Sequence, residues 1–207
     1  MRTYRTEGII LRRTNFGEAD RLLTIFTKNH GKIRCRAPGI RKTISRKGAH
    51  LELFNLSSLF LAQGKSLDIV TEAQTINNFS AIRKDLSKIW IAYYFCELVE
   101  SLCAERQENW EVFDLLKKSL EKLALVIARS EATWQSLANA SLNAHSGEIP
   151  RYTRNDNETD SFANQLLQIL GYLPRDKSLK GDDLERFIEN LLERQIRTKK
   201  LLRKSGK

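Results

Sequence analysis

Asp20-Arg21-Leu22-Leu23-Thr24-Ile25-Phe26-Thr27-Lys28-Asn29-His30-Gly31-Lys32-Ile33-Arg34-Cys35-Arg36-Ala37 decides the fold of the first third of the chain. Two apolar runs flank Asn29-His30-Gly31, a triplet whose small, φ>0-tolerant residues suit a tight hairpin. In the second run Ile33, Cys35 and Ala37 alternate with Lys32, Arg34 and Arg36. That period of two is the mark of a strand buried on one side only. One face is core, and the opposite face is a basic row.

The same reading extends in both directions. Residues 4–13 precede this hairpin, and residues 51–62 and 66–73 follow it as two further runs joined by Gln63-Gly64-Lys65. With residues 20–28 and 32–37 they make five short strands. Five strands in so short a segment predict a small barrel, because closure removes the two wet edges of an open sheet. An OB-fold is the commonest barrel of this size, and an SH3-like barrel is the alternative. OB barrels present nucleic acid with one sheet face and its loops, where the basic row and residues 38–50 fall.

Beyond Phe79 the period changes to that of helices. Leu86, Ile89, Trp90, Tyr93, Cys96 and Val99 recur at three and four residues and predict a helix over residues 81–104. Trp110, Phe113, Leu116, Leu120, Leu123 and Ile127 predict a second, and Phe162, Leu166, Ile169 and Leu170 a third that Gly171 ends. Asp182 and Glu185 have the spacing of an N-terminal cap for a fourth, through Leu184, Phe187, Ile188, Leu191 and Leu192. Residues 129–160 are polar and weakly periodic and read as a loop or insertion, with a short helix over 130–143 as the alternative. The expected fold class is an N-terminal all-β OB-fold barrel, residues 1–79, followed by an all-α helical domain, residues 80–207, α+β overall and multidomain.

Composition narrows the function. The 207 residues are 41% hydrophobic and 29% charged, ordinary for a globular protein. No apolar run approaches a membrane span, and residues 1–7 lack an apolar segment behind their charges, so a cytoplasmic protein without a membrane partner is expected. Three cysteines, Cys35, Cys96 and Cys103, cannot pair off evenly and form no Cys-x-x-Cys, so neither a disulfide framework nor a zinc ribbon is supported. The net charge of +10 is uneven: residues 1–80 hold 14 Lys+Arg against 6 Asp+Glu. Residues 28–51 carry eight basic residues and no acid, and residues 194–207 are a second acid-free basic run. Such clusters attract polyanions. About five phosphate contacts to a single strand would give a salt slope near −3.5.

Catalytic groups are thin by comparison. His30, His50 and His145 are scattered in expected turns and loops at spacings that place no two ligands on one helix face. No phosphate-cradling glycine motif occurs, and Glu18 and Asp20, two acids flanking a strand start, more often solvate a turn than hold a metal, with a metal-dependent nuclease or other phosphoryl-transfer enzyme as the alternative. No catalytic residue, metal site or cofactor is expected, and the protein is read as a non-enzyme.

Thr6-Glu7-Gly8-Ile9-Ile10-Leu11-Arg12-Arg13, Gly17-Glu18-Ala19-Asp20-Arg21-Leu22-Leu23-Thr24-Ile25-Phe26-Thr27 and His30-Gly31-Lys32 stand in order before Gly39-Ile40-Arg41-Lys42. Ser45-Arg46, Ala49-His50-Leu51-Glu52 and Phe54 continue the series, and Leu170-Gly171-Tyr172-Leu173-Pro174 follows in the helical part. This series resembles the RecO family, bacterial mediators of DNA repair and recombination. The resemblance implies binding of single- and double-stranded DNA, annealing of complementary strands, and work with RecR and single-stranded DNA-binding protein to load RecA in RecF-type repair. It implies a cytoplasmic protein that joins the nucleoid during repair. By position it assigns DNA contact to Arg34, Arg36, Arg41, Lys42, Arg46 and Lys47, and Arg12, Arg13 and Lys32 are counted with them. Residues 176–183 contain no cysteine where many members carry a four-cysteine zinc module, so no zinc is expected. The 129–160 stretch has no counterpart, and the helical domain is shortened. The alternative on the residues alone is an RNA-binding OB module of RNA processing or translation, since a basic face accepts either nucleic acid.

Overall fold

The computed structural model describes residues 2–43, 45–138 and 156–198. Five strands come first: β1 (Thr3–Phe16), β2 (Asp20–Thr27), β3 (Gly31–Ala37), β4 (Leu56–Ala62) and β5 (Asp68–Asn77). Four helices follow: α1 (Leu86–Leu102), α2 (Trp110–Ala138), α3 (Asp156–Ile169) and α4 (Gly181–Leu192). The strands close as a barrel in the order β1-β2-β3-β5-β4, with β4 returning to β1. All pairs are antiparallel except β3 with β5, which meet in parallel at Cys35↔Asp68 and Arg36↔Ile69. The expected OB-fold barrel followed by helices is the architecture found.

β1 is the organising strand. Its first half pairs with β4 and its second half with β2, and a register shift between Ile10 and Arg12 marks a bulge at Leu11. Ile9, Ile10 and Leu11 alternate as in any strand, Ile10 into the barrel and the other two into the core under the helices, and the bulge then leaves consecutive Leu11 and Arg12 both facing outward. The barrel interior is filled by Ile10, Leu23, Ile25, Ile33, Cys35, Leu51, Leu59, Leu61 and Val70, all nearly inaccessible. A second core begins on the barrel's outside, at Ile9, Leu11, Phe26 and Leu56, and runs into the helices. There the stacked rings of Phe95 and Phe162, 4.1 Å between centroids, tie α1 to α3.

Several boundaries differ from the sequence reading, each for a local reason. β4 starts at Leu56 rather than residue 51, because Phe54 takes a left-handed φ of 69° that no extended strand accommodates. Residues 49–51 are instead a single 3₁₀ turn held by the Asn55 side chain, which donates to the Ala49 carbonyl at 3.0 Å. α1 begins at Leu86, where the Asp85 carboxylate accepts from the Ser87 N–H at 2.9 Å. α4 begins one residue before Asp182, because Asp160 of α3 already accepts from the Gly181 N–H at 2.9 Å and supplies the cap from outside. The 129–160 loop reading fails at both ends: α2 continues to Ala138 and α3 opens at Asp156. Ala128, Glu131, Ala132, Gln135 and Leu137 are good helix formers, and extending an existing helix is far easier than starting one. Residues 139–155, with the rest of the 130–143 helix, lie outside the described residues.

Gly171 ends α3 as expected. At φ 79° it lets the Tyr172 N–H reach the Leu167 carbonyl at 2.9 Å and its own N–H reach Gln168 at 3.2 Å, the paired bonds of a Schellman stop. α1 departs from the stripe reading. Leu86 and Tyr93 are exposed, while Ala92, Phe95, Leu98 and Leu102 are buried. This helix is enclosed by β1, α2 and α3 together, and a helix covered on most sides has no single apolar face to read.

The barrel and the helices are clamped where β3 begins. Gly31, at φ 61°, passes so close to Gln107 that a Cβ would sit 1.9 Å from its carbonyl oxygen. The Arg106 N–H then donates to the Lys32 carbonyl at 2.8 Å, and the Arg106 guanidinium reaches Asp68 at 3.1 Å. Asp68 is fully buried and also accepts from the Tyr4 hydroxyl at 2.6 Å.

Candidate nucleic-acid interface

The barrel's outer surface is covered by the helices in one part and open elsewhere, including the side of β4 and β5 that carries Arg5, Phe60 and Glu72. The helices cover the part carrying Ile9, Leu11, Phe26 and Leu56, and the part built from the far ends of β1, β2 and the middle of β3 stays open. Residues paired directly across antiparallel strands share a face. Arg12↔Thr24↔Arg34 forms one such row, Thr14↔Leu22↔Arg36 a second, and Phe16↔Asp20 a third. Arg12, Thr24, Arg34, Thr14 and Leu22 line a groove of about 420 Å³, which Lys32, Glu100 and Glu105 close on the helical side. Arginines stand on both flanks with threonines and a leucine between them.

Electrostatics orders the far end of this face. Asp20 accepts from the Gly39 N–H at 2.7 Å and from Arg36 at 2.6 Å. Those bonds, the Gly39 one foremost, hold its carboxyl below the usual range. Arg36 is thereby fixed with its guanidinium 5.6 Å from the centre of the Phe16 ring, which is 44% exposed. Arg41 donates to the Gly17 carbonyl at 3.2 Å, anchoring the loop after β3 against the turn after β1. Lys42 lies close enough for its charge to act on Asp20. Arg36 thus stands beside the exposed Phe16 ring, with Arg41 on the adjoining turn and Lys42 near Asp20.

The nine sequence-assigned residues do not form one patch. Arg12, Arg34, Arg36, Arg41 and Lys42 converge on the open face, and Arg46 is exposed in the adjoining loop. Lys47 turns away and donates to the Val70 carbonyl of β5 at 3.1 Å. Arg13, opposite the inward Leu23, reaches the barrel mouth and pairs with Glu52, which Arg21 also approaches at 3.5 Å. Lys32 corrects the basic-row reading: it is buried, and its ammonium donates to the Glu100 carbonyl in the last turn of α1 at 2.5 Å. A cation there satisfies a helix-end carbonyl and complements the helix dipole.

Sequence reasoning passed over Phe16, Thr14, Leu22 and Thr24. The signal for Phe16 was present, an aromatic residue beside a turn glycine in a basic segment, while the other three needed the strand register. Asp20 spends both oxygens on Gly39 and Arg36. The cysteines are buried, burial pushing the Cys103 thiol up to about 11 against the pull of Lys32. Among the described residues no three His, Cys, Asp or Glu side chains converge as a metal site. Among them, too, no helix is long and apolar enough to cross a membrane.

An OB barrel with a basic outer face, followed by a helical domain, defines a class of nucleic-acid-binding proteins. Comparison with known proteins identifies the branch. Residues 1–79 match the family model "Recombination protein O N terminal" and residues 83–138 match "Recombination protein O C terminal". The chain belongs to the RecO family, whose members are DNA repair and recombination proteins. It is similar to a "DNA repair protein RecO" of Roseiflexus sp. (strain RS-1), 47% identical over 122 residues, or 59% of this chain and 43% of the relative. A protein of the same description from Trichodesmium erythraeum (strain IMS101) is 35% identical over 64% of this chain and 46% of the relative. The one from Dehalococcoides mccartyi (strain ATCC BAA-2266 / KCTC 15142 / 195) is 36% identical over 82% of this chain and 64% of the relative. The matched part thus spans about half to two thirds of the length of these relatives.

Proposed function

We propose that the chain is a non-enzymatic recombination mediator whose open barrel face binds single- and double-stranded DNA and anneals complementary strands. The observation that carries this reading is the pair of rows Arg12↔Thr24↔Arg34 and Thr14↔Leu22↔Arg36, which face solvent beside the end of α1. Arginines on both flanks neutralise phosphates without reading base edges, so the binding is broad in sequence. The Phe16 ring beside Arg36 offers a platform for an unpaired base. Annealing breaks and makes no covalent bond; it needs the mutual repulsion of two strands reduced, which a fixed basic surface provides. Membership of the RecO family supports the rest of the proposal: cytoplasmic action with RecR and single-stranded DNA-binding protein in the loading of RecA.

The test is strand annealing on DNA coated with its single-strand binding protein. The protein is expected to accelerate annealing, and Arg34→Ala combined with Arg36→Ala is expected to slow it. Matched DNA and RNA oligomers run in parallel separate this reading from an RNA module. A strong preference for RNA, or no acceleration of annealing, would overturn it.

A further inference from the structure

A second concavity, of about 950 Å³, lies between the barrel and the helices. Its floor is apolar, with Leu11 and Leu53 from the barrel side and Trp90 and Tyr93 from α1. Tyr93 is 37% exposed, its ring edge-on to buried Phe54 at 5.0 Å and 6.1 Å from Trp90. Phe54 therefore braces from behind a ring that faces the cleft. The rim is cationic: Arg12 and Arg13 of β1 stand with Arg194 and Arg197, which follow α4.

Two acids share this rim, and both are already engaged. Glu97 accepts from the backbone N–H groups of Arg197 and Thr198, each at 2.8 Å, and Glu100 accepts from Arg12 at 3.2 Å. Arg194 donates to the Ser101 hydroxyl, whereas the Arg197 guanidinium has no partner among the described residues. Arg12 and Glu100 also line the groove on the open barrel face. The two concavities therefore share one ion pair.

Cations on the rim of a cleft floored by partly exposed aromatic rings are a combination that holds single-stranded nucleic acid, phosphates on the arginines and bases on the rings. A duplex does not fit this chemistry, because its bases are already stacked on one another. We infer that the interdomain cleft continues the DNA path for single strands alone. A strand lying on the barrel face crosses the Arg12 and Glu100 ion pair and sets its next bases against Tyr93 and Trp90, with phosphates on Arg194 and Arg197. This rests on the DNA-binding reading of the barrel face and adds to it a source of strand selectivity.

The experiment uses the full chain with two oligothymidylates, one of roughly 8 nucleotides that fills an OB face and one of roughly 20 that reaches beyond it. The longer oligomer is expected to bind roughly tenfold tighter, one base-stacking contact's worth. Tyr93→Ala and Arg197→Glu should each abolish that gain, leaving the short oligomer and a duplex unaffected. Tyr93→Phe, which keeps the ring, should retain it. Arg197 is exposed, so its substitution reports even if Tyr93→Ala unfolds the chain. An equal gain in Arg197→Glu and the parent would overturn the inference while the barrel-face reading stands. Loss of binding at both lengths in the parent would overturn both. A polyglutamate peptide whose binding depends on Arg197, with the length gain unaffected, would make the cleft a protein-docking surface and likewise overturn it.

Discussion

Lys32 and Arg34 are two residues apart on β3 and point out of the same barrel, yet they have opposite fates. Lys32 lies under the helical domain with its ammonium on the end of α1, and Arg34 is exposed beside the groove. The difference marks a boundary on the outer face between a part that is core shared with the helices and a part that is a candidate binding surface. Strand alternation settles only whether a side chain points into the barrel. Whether an outward side chain meets solvent or another domain is decided by what packs there.

The largest effects are expected on the covered part. Asp68 is fully buried and accepts from Tyr4, Arg106 and Gly64. Replacing it with alanine leaves those donors short of an acceptor and should cost about 3 kcal/mol in urea denaturation. Lys32→Ala should cost about 2 kcal/mol, through the lost carbonyl partner and the lost packing of its stem. Neither change should alter the salt dependence of DNA binding. A Lys32→Ala protein as stable as the parent but with a shallower salt slope would break the division and return Lys32 to the open face.

The open part should behave in the reverse way. Five basic side chains converge there, Arg12, Arg34, Arg36, Arg41 and Lys42, which gives a slope near −3.5 for a single strand if each takes one phosphate. Arg34→Ala with Arg36→Ala should make that slope shallower by roughly 1.4. Arg34→Ala alone should change stability by less than about 0.5 kcal/mol, because its side chain is exposed. An unchanged slope in the double variant would remove β3 from the interface and leave the loop residues to carry it.

Local patterns disclosed the barrel well and the site only partly. The alternation of Ile33, Cys35 and Ala37, the turn at Gly31 and the stop at Gly171 each act within a few residues, and each stands where the sequence put it. The acid-free run over 28–51 was read as one cluster, but its members share only sequence position. Once the chain folds, Lys47 sits against β5, Lys32 lies under α1, Arg36 stands beside Phe16, and Arg41 and Lys42 lie at the turn next to it. Arg12 becomes part of the face through a bulge that no periodicity reveals. The cap of α4 was misplaced for a related reason, since the group that satisfies Gly181 is Asp160, on another helix. Charge density along the chain locates an interaction, and register with domain packing selects its members.

The smallest expected effect concerns the one acid inside the basic face. The hydrogen bonds from Gly39 and Arg36 hold the Asp20 carboxyl below its ordinary value. A carboxyl depressed in the folded state stabilises it fully at pH values above its unfolded pKa, near 3.9, and the contribution is lost as pH falls through the folded value. The stability difference between the parent and Asp20→Asn should therefore be constant from neutral pH to about pH 5 and shrink only in stronger acid. At neutral pH the same substitution releases Arg36 and removes a negative charge beside Phe16, so single-strand affinity should rise slightly at low salt. A metal-dependent nuclease built on Asp20 requires the opposite, loss of activity with the carboxylate. Tighter binding by Asp20→Asn, with no cleavage in either protein when Mg²⁺ is added, would confirm that this acid positions an arginine. Weaker binding would mean that the loop anchored by Gly39, more than the freed Arg36, determines the shape of the face.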